Sequence, residues 1–133
     1  MKVLINNENW ICDRMRSEFY NERPEYYTSS INDCDISWLI APWAAPDLSL
    51  LSGKKNIFSI YHIVPEKFNY QRLIEMDSVA TAFHTICNKT KQIIQKYVSK
   101  PVFMEPFWIN QRIFHPLSKL KCVNDLSLPE DKF

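Results

Sequence analysis

The sequence predicts an α/β domain built on a parallel β-sheet with helices on its faces, and three observations carry that prediction. Short apolar segments of strand length alternate with segments of helical spacing along the chain, the pattern of repeated β-α-β units. The stretch from Asn56 to Glu66 is apolar at Ile57, Phe58, Ile60, Tyr61, Ile63 and Val64, and is broken only by Ser59 and His62. A strand that apolar must be buried on both faces, as it is when a parallel sheet lies between helical layers. The length, 133 residues, fits one such domain with a sizeable core. The predicted fold is therefore a Rossmann-like α/β domain.

Taken in order, Lys2 to Ile5 reads as a first strand that ends in the polar turn Asn6-Asn7-Glu8-Asn9. From Trp10 the spacing becomes helical, and Ile11, Met15 and Phe19 would share its buried face. Pro24 stops that helix, and Glu25 to Ser29 is a candidate second strand. Asp35 to Ile40 is the next strand, closing in a proline-marked loop from Ala41 to Pro46 that carries Trp43. Asp47 to Leu51 suggests a short helix before the central strand. Asn69 to Met76 reads as a helix with Leu73 and Met76 inward, and Glu66-Lys67 is a candidate cap ahead of it. Ser78 to Ile86 is a strand candidate. Asn88 would cap a helix reaching Val98 and burying Ile93, Ile94 and Tyr97. Lys100 to Glu105 makes the last strand, and the tail from Lys119 to Phe133 is polar and weakly patterned.

Composition removes several classes of function. Sixteen basic and 15 acidic residues are well mixed and leave a net charge of +1, so no basic stripe marks a nucleic-acid footprint. The only glycine is Gly53, which rules out glycine-rich phosphate loops. Cys12, Cys34, Cys87 and Cys122 are scattered without a C-x-x-C pair, the pattern of reduced, mostly packed thiols. No His/Cys/Asp spacing points to a metal. Met1 to Asn7 lacks the apolar length of a signal peptide, and no run approaches a membrane span, so the expected location is cytoplasmic.

His62, at the carboxyl end of the central strand, is the first candidate for a chemical role, because open α/β sheets bind ligands there. Its imidazole can donate or accept a hydrogen bond near neutral pH. The alternative is a histidine satisfied within its own loop. Asp13-Arg14 offers a carboxylate and a guanidinium for directional bonds to an acceptor, or a surface ion pair in the first helical turn. Trp43 and Trp108 offer flat faces for sugar rings, or core and interface packing. His84, inside a strand candidate, reads as structural, and His115 as exposed.

Four segments together resemble the amino-terminal half of GT-B-fold glycosyltransferases of the large retaining nucleotide-sugar family (group 1 type). Asp35-Ile-Ser-Trp-Leu-Ile-Ala-Pro-Trp43 is similar to the family's aspartate, apolar strand and small-Pro element. Ser59-Ile-Tyr-His62 resembles its strand ending in histidine. Phe83-His-Thr-Ile-Cys-Asn-Lys-Thr90 resembles its strand-to-helix "apolar-Ser-x-x-Thr" element, with Cys87 at the serine position. The most specific match is Pro101-Val-Phe-Met-Glu-Pro-Phe-Trp-Ile-Asn-Gln-Arg-Ile-Phe-His-Pro116, similar to the linker that closes the first domain. The chain departs from the pattern where Asn6-Asn7-Glu8-Asn9-Trp10 replaces a glycine-containing first loop. It departs again at Tyr61 and Val64, where a related subgroup carries His and Asp.

The resemblance implies that residues 1–118 form the acceptor-side domain. Residues 119–133 would then lead toward a C-terminal nucleotide-sugar-binding domain that these 133 residues do not include. It implies transfer of a sugar from a nucleotide sugar to a glycan or lipid-linked acceptor, with this portion inactive alone. His62 would contact the donor sugar, and Asp13, Arg14, Trp43, Trp108 and Asn110 would serve sugar binding. No metal or other cofactor is implied beyond the nucleotide sugar as donor substrate. Some members of the family sit peripherally on membranes. A cleft face left bare of its second domain would be apolar and open to self-association. The rival expectation is a non-catalytic Rossmann-like binding or interaction module, with that face made polar.

Overall fold

Five short parallel strands form one sheet in which spatial order follows chain order. They are β1 (Val3–Ile5), β2 (Ile36–Leu39), β3 (Lys55–Ser59), β4 (Ala82–Thr85) and β5 (Val102–Met104). The helices are α1 (Ile11–Glu22), α2 (Tyr70–Asp77), α3 (Asn88–Ile94) and α4 (Lys119–Asp125), with 3-10 turns at Pro24–Tyr26, Pro42–Ala44 and Leu48–Leu51. This computed structural model describes residues 1–6, 8–9, 11–45, 47–108, 111–112 and 116–127. The sequence-derived fold class holds: this is a Rossmann-like α/β domain.

Both faces of the sheet are covered, because alternate strand residues point to opposite sides. On one face Val3, Ile5, Ile36 and Trp38 pack with Cys12, Met15 and Phe19 of α1. On the other, Leu39, Phe58, Phe83 and Val102 pack with Leu73 and Met76 of α2 and Ile94 of α3. Tyr27 explains this division. It forms an isolated parallel bridge with Val3 on the edge of β1 that β2 leaves free. The chain thus steps from β1 to one side through α1, then reverses and winds the other way from β2 to β5. With right-handed crossovers, that reversal places α1 opposite α2 and α3, and the reversal lies between β1 and β2.

Several elements differ from the sequence reading. Glu25 to Ser29 is not a strand but a 3-10 turn followed by the single Tyr27 bridge. The Tyr20 hydroxyl occupies that edge instead, accepting from the Ile5 N–H at 2.9 Å and donating to the Val3 carbonyl at 2.7 Å. The inward stripe of α1 is Cys12, Met15 and Phe19, so Ile11 is turned partly outward. β3 ends at Ser59, earlier than its apolar run, and only the Ile60 N–H continues the ladder, to the His84 carbonyl at 2.8 Å. α3 ends at Ile94 rather than Val98, and Cys87 rather than Asn88 is its cap. Tyr97 stands 42% exposed and packs on Tyr70, ring centres 4.6 Å apart. The tail contains a helix that its polar composition concealed. Ser118 caps α4 through the Lys121 N–H, and Val123 of α4 is buried.

Two polar side chains close the loops that join these layers. Asn56 is wholly buried, and its amide donates to the carbonyls of Leu51 (2.7 Å), Lys54 (3.3 Å) and Val79 (2.8 Å). It therefore ties the turns that lead into β3 and β4. The Asp77 carboxylate accepts from the Ser99 N–H (2.9 Å), the Ser99 hydroxyl (2.8 Å) and the Lys100 N–H (3.2 Å). That clamp makes α3 stop early, because the chain must leave the helix to bring Ser99 and Lys100 to Asp77. Gly53, at φ +74°, makes the turn before β3 in a region that other residues enter only with strain.

Asn56→Ala removes the amide donor from the Val79 and Lys54 carbonyls and one of two donors from the Leu51 carbonyl, which keeps the Lys54 N–H, and is expected to cost roughly 1–3 kcal/mol. The check is a lower urea midpoint with an unchanged slope. Asp77→Ala is expected to cost about 1–2 kcal/mol at neutral pH, a figure reduced for partial exposure. Burial acts to raise the Asp77 carboxyl, but the bonds from Ser99 and Lys100 outweigh it and hold the pKa below the ordinary aspartate value. A depressed carboxylate stabilises above its unfolded pKa, about 4, and that stability is lost as pH falls through the folded value. The gap between wild type and Asp77→Ala should therefore narrow in denaturation curves taken below about pH 4.

Candidate functional site

On the α1 face, beyond the reach of α1 itself, a chain of hydrogen bonds crosses the sheet. Trp38 Nε1–H donates to Ser59 Oγ at 2.9 Å, Ser59 Oγ lies 2.8 Å from His84 Nδ1, and His84 Nε2 lies 2.9 Å from the Glu105 carbonyl oxygen. A carbonyl only accepts, so Nε2 carries the hydrogen, and Nδ1 accepts from the Ser59 hydroxyl. Each donor in the chain is then used once, and the ring is the neutral Nε2–H tautomer. The arrangement has the outline of a nucleophile and base, but Ser59 is 0% and His84 5% exposed. No substrate reaches that hydroxyl, and the third partner is a carbonyl rather than a carboxylate. His84 is structural, as its place in a strand predicted.

An open cavity of about 420 Å³ lies past the carboxyl ends of β2 and β3, on the side of α2. Its wall comes from three stretches. The 3-10 turn after β2 buries Pro42 at its start and leaves Trp43 66% exposed at the rim. The loop after β3 supplies Tyr61, His62 and Val64, and closes in a turn where the Lys67 N–H donates to the Val64 carbonyl at 2.9 Å. Asn69 then caps α2 by accepting from the Arg72 N–H at 2.9 Å, which sets Arg72 and Leu73 against the cavity. The wall is mostly apolar.

Among the described residues the charged side chains of this wall are Lys67 and Arg72, with no Asp or Glu. Arg72 Nη1 also reaches Glu75 Oε2 at 3.2 Å on the same helix. The Tyr61 hydroxyl is buried without a hydrogen-bond partner at ordinary distance. Burial pushes its phenol well up, against an opposing pull from the Ser59 hydroxyl.

Of the sequence-predicted site residues, the fold brings His62 and Trp43 together in this cavity. Asp13 and Arg14 lie on α1, across the sheet, and Arg14 Nε pairs with Glu18 Oε1 at 3.2 Å. Trp108 packs its ring 5.7 Å from that of Trp38, on the α1 face. Asn110 and His115 lie outside the described residues. Sequence reading missed Tyr61, Phe68, Asn69 and Arg72, and it read Lys67 with Glu66 as a helix cap, a part that Asn69 plays. The usable signal was the amide at position 69 standing three residues before a basic residue, just after the proline that ends the central segment.

All four cysteines are free thiols. Burial raises the pKa of Cys12 and Cys34, whereas Cys87 is exposed rather than packed as expected. Among the described residues no cluster of His, Cys, Asp and Glu is placed to hold a metal ion, and no helix is long and apolar enough to cross a membrane. Comparison with protein-family models, with curated proteins and with solved structures gave no match.

The hydrogen-bond chain predicts a protonated Nε2 and an unprotonated Nδ1 on His84 at neutral pH. Long-range ¹H–¹⁵N spectra should show that pattern, and Ser59→Ala should shift the Nδ1 resonance specifically. A protonated Nδ1 in the wild type would mean a doubly protonated ring that donates to Ser59 Oγ, so that the Ser59 hydroxyl no longer donates to His84.

Proposed function

We propose that this chain is the acceptor-side, sugar-binding domain of a two-domain GT-B-type glycosyltransferase, with the cavity beyond β2 and β3 as its sugar site. The observation that carries the reading is the meeting of His62 and Trp43 in one largely apolar cavity at the carboxyl edge of a parallel sheet. Open α/β sheets bind ligands at that edge. An exposed indole offers a flat apolar face to a pyranose ring, and an imidazole can bond a ring hydroxyl. The bare apolar rim, with Trp43 and Val64 exposed, is what a domain docked against a second one would leave. In the complete enzyme the nucleotide sugar would be held mainly by that second domain.

A non-catalytic binding module is the second reading, favoured by a cavity wall in which no described residue is an Asp or Glu that could act as a general base. Both readings need a ligand in the same place. They part on whether a second domain together with a nucleotide sugar restores turnover.

Titration of the ¹⁵N-labelled chain with simple methyl glycosides is the test. Shifts confined to the loop from Tyr61 to Asn69 and to Trp43 are expected, with affinities on the order of millimolar. His62→Ala and Trp43→Ala should each weaken binding by about five- to tenfold, the value of one hydrogen bond or one stacked ring. Spectra that do not move at the cavity residues at tens of millimolar glycoside, roughly ten times that dissociation constant, would overturn the proposal.

A further inference from the structure

We infer that the ligand of this cavity is an anionic sugar, one carrying a carboxylate or a phosphate, an inference that rests on the sugar-binding reading above. The balance of donors and acceptors in the wall favours an anion. Lys67 and Arg72 are pure donors, with three and five N–H groups in the general inventory and no acceptor. Against these N–H donors the acceptors are few: one ring nitrogen of His62, and the Asn69 side-chain oxygen, which already accepts from the Arg72 N–H as the cap of α2. No carboxylate among the described residues lines the wall. A neutral sugar presents hydroxyls that donate as well as accept, and sites for neutral sugars need side-chain acceptors to match them.

Electrostatics point the same way. Arg72 is half-buried, pairs with Glu75 and also acts on the Asp47 carboxylate, whereas Lys67 has no side-chain partner among the described residues. The first turn of α2 contains no acidic residue, so the positive end of the helix adds to these cations instead of being offset. An apolar wall lowers the local dielectric, and a cation beside it attracts an anion more strongly than it would in open water. The best-matched ligand therefore lays an apolar sugar face on Trp43 and directs an anionic substituent toward Lys67 and Arg72.

The test compares methyl glucoside with methyl glucuronide, which differ only in a carboxylate at one carbon, and adds glucose 6-phosphate and inorganic phosphate as further probes. Binding is read by ¹⁵N shifts of the cavity residues at low and at high salt. The glucuronide or the sugar phosphate should bind about tenfold tighter than the neutral glycoside, and the advantage should shrink as salt is raised. In Lys67→Gln and in Arg72→Gln, both changes at residues outside the buried core, the ratio of anionic to neutral affinity should fall toward one. Carboxylate preferred over phosphate would identify a uronic acid, and the reverse a sugar phosphate. Equal binding of neutral and anionic sugars would overturn this inference and leave the sugar-binding reading standing. Inorganic phosphate binding as tightly as the sugar phosphate would overturn it as well, since the sugar ring would then contribute nothing. Failure of every sugar to bind would sink both.

Discussion

The hydrogen bonds through His84 are the constraint on which the rest of the sheet depends. The strands are three to five residues long, so each ladder is short. On the α1 face, past α1, a single buried polar chain joins side chains of β2, β3 and β4 to the main chain just after β5. Its direction is set at one end by an indole that only donates and at the other by a carbonyl that only accepts. A buried network of this kind is favourable only when every member is satisfied, and this one is. It is sealed by aromatic rings: Tyr61 and Phe103 pack against His84, Phe107 against Tyr61, and Trp108 against Trp38. The seal couples the loop that carries His62 to the segment that follows β5.

At the opposite edge the same economy appears in a different form. β1 would expose an unpaired edge, the usual invitation to misassociation. A neighbouring strand is replaced by the Tyr20 hydroxyl, which meets one N–H and one carbonyl of β1, and by the lone bridge from Tyr27. Burial raises the Tyr20 phenol, keeping it a neutral donor and acceptor in that position. The reversal of winding next to β1 follows, and with it the placing of α1 alone on one face. Beside the reversal, where such sheets open a crevice, Asn6 bonds both ways with Ala41, at 2.8 and 3.1 Å. That pair closes the gap between the first two loops.

The open space is therefore displaced by one strand, to the ends of β2 and β3. This displacement gives the cavity its chemistry. Its wall draws on the Pro42–Trp43 turn, the long exit loop of β3 and the first turn of α2, and on none of the described residues of the loop after β1. Donors and apolar faces come from those stretches, while the carboxylate and guanidinium of Asp13 and Arg14 are left across the sheet. What this wall offers a ligand is an apolar shape and cationic donors.

The parallel α/β class, the chain order of most helices and strands, and the placing of His62 and Trp43 on loops at strand ends were legible in the sequence itself. The reason is local: apolar runs, prolines and caps act within a few residues, and strand-end loops of such sheets gather on one edge. Tertiary structure alone decided that Glu25 to Ser29 would not pair, that α3 would stop at Ile94, and that Ser118 would start a helix in a polar tail. Each of those outcomes turns on a partner far along the chain, Tyr20 against β1, Asp77 against Ser99, or a buried niche for Val123. The same holds for Arg72, whose position in the cavity depends on where α2 meets the sheet. Periodicity reports which side of an element is apolar, but not which element it will meet, because that is settled by packing between segments that the sequence keeps apart.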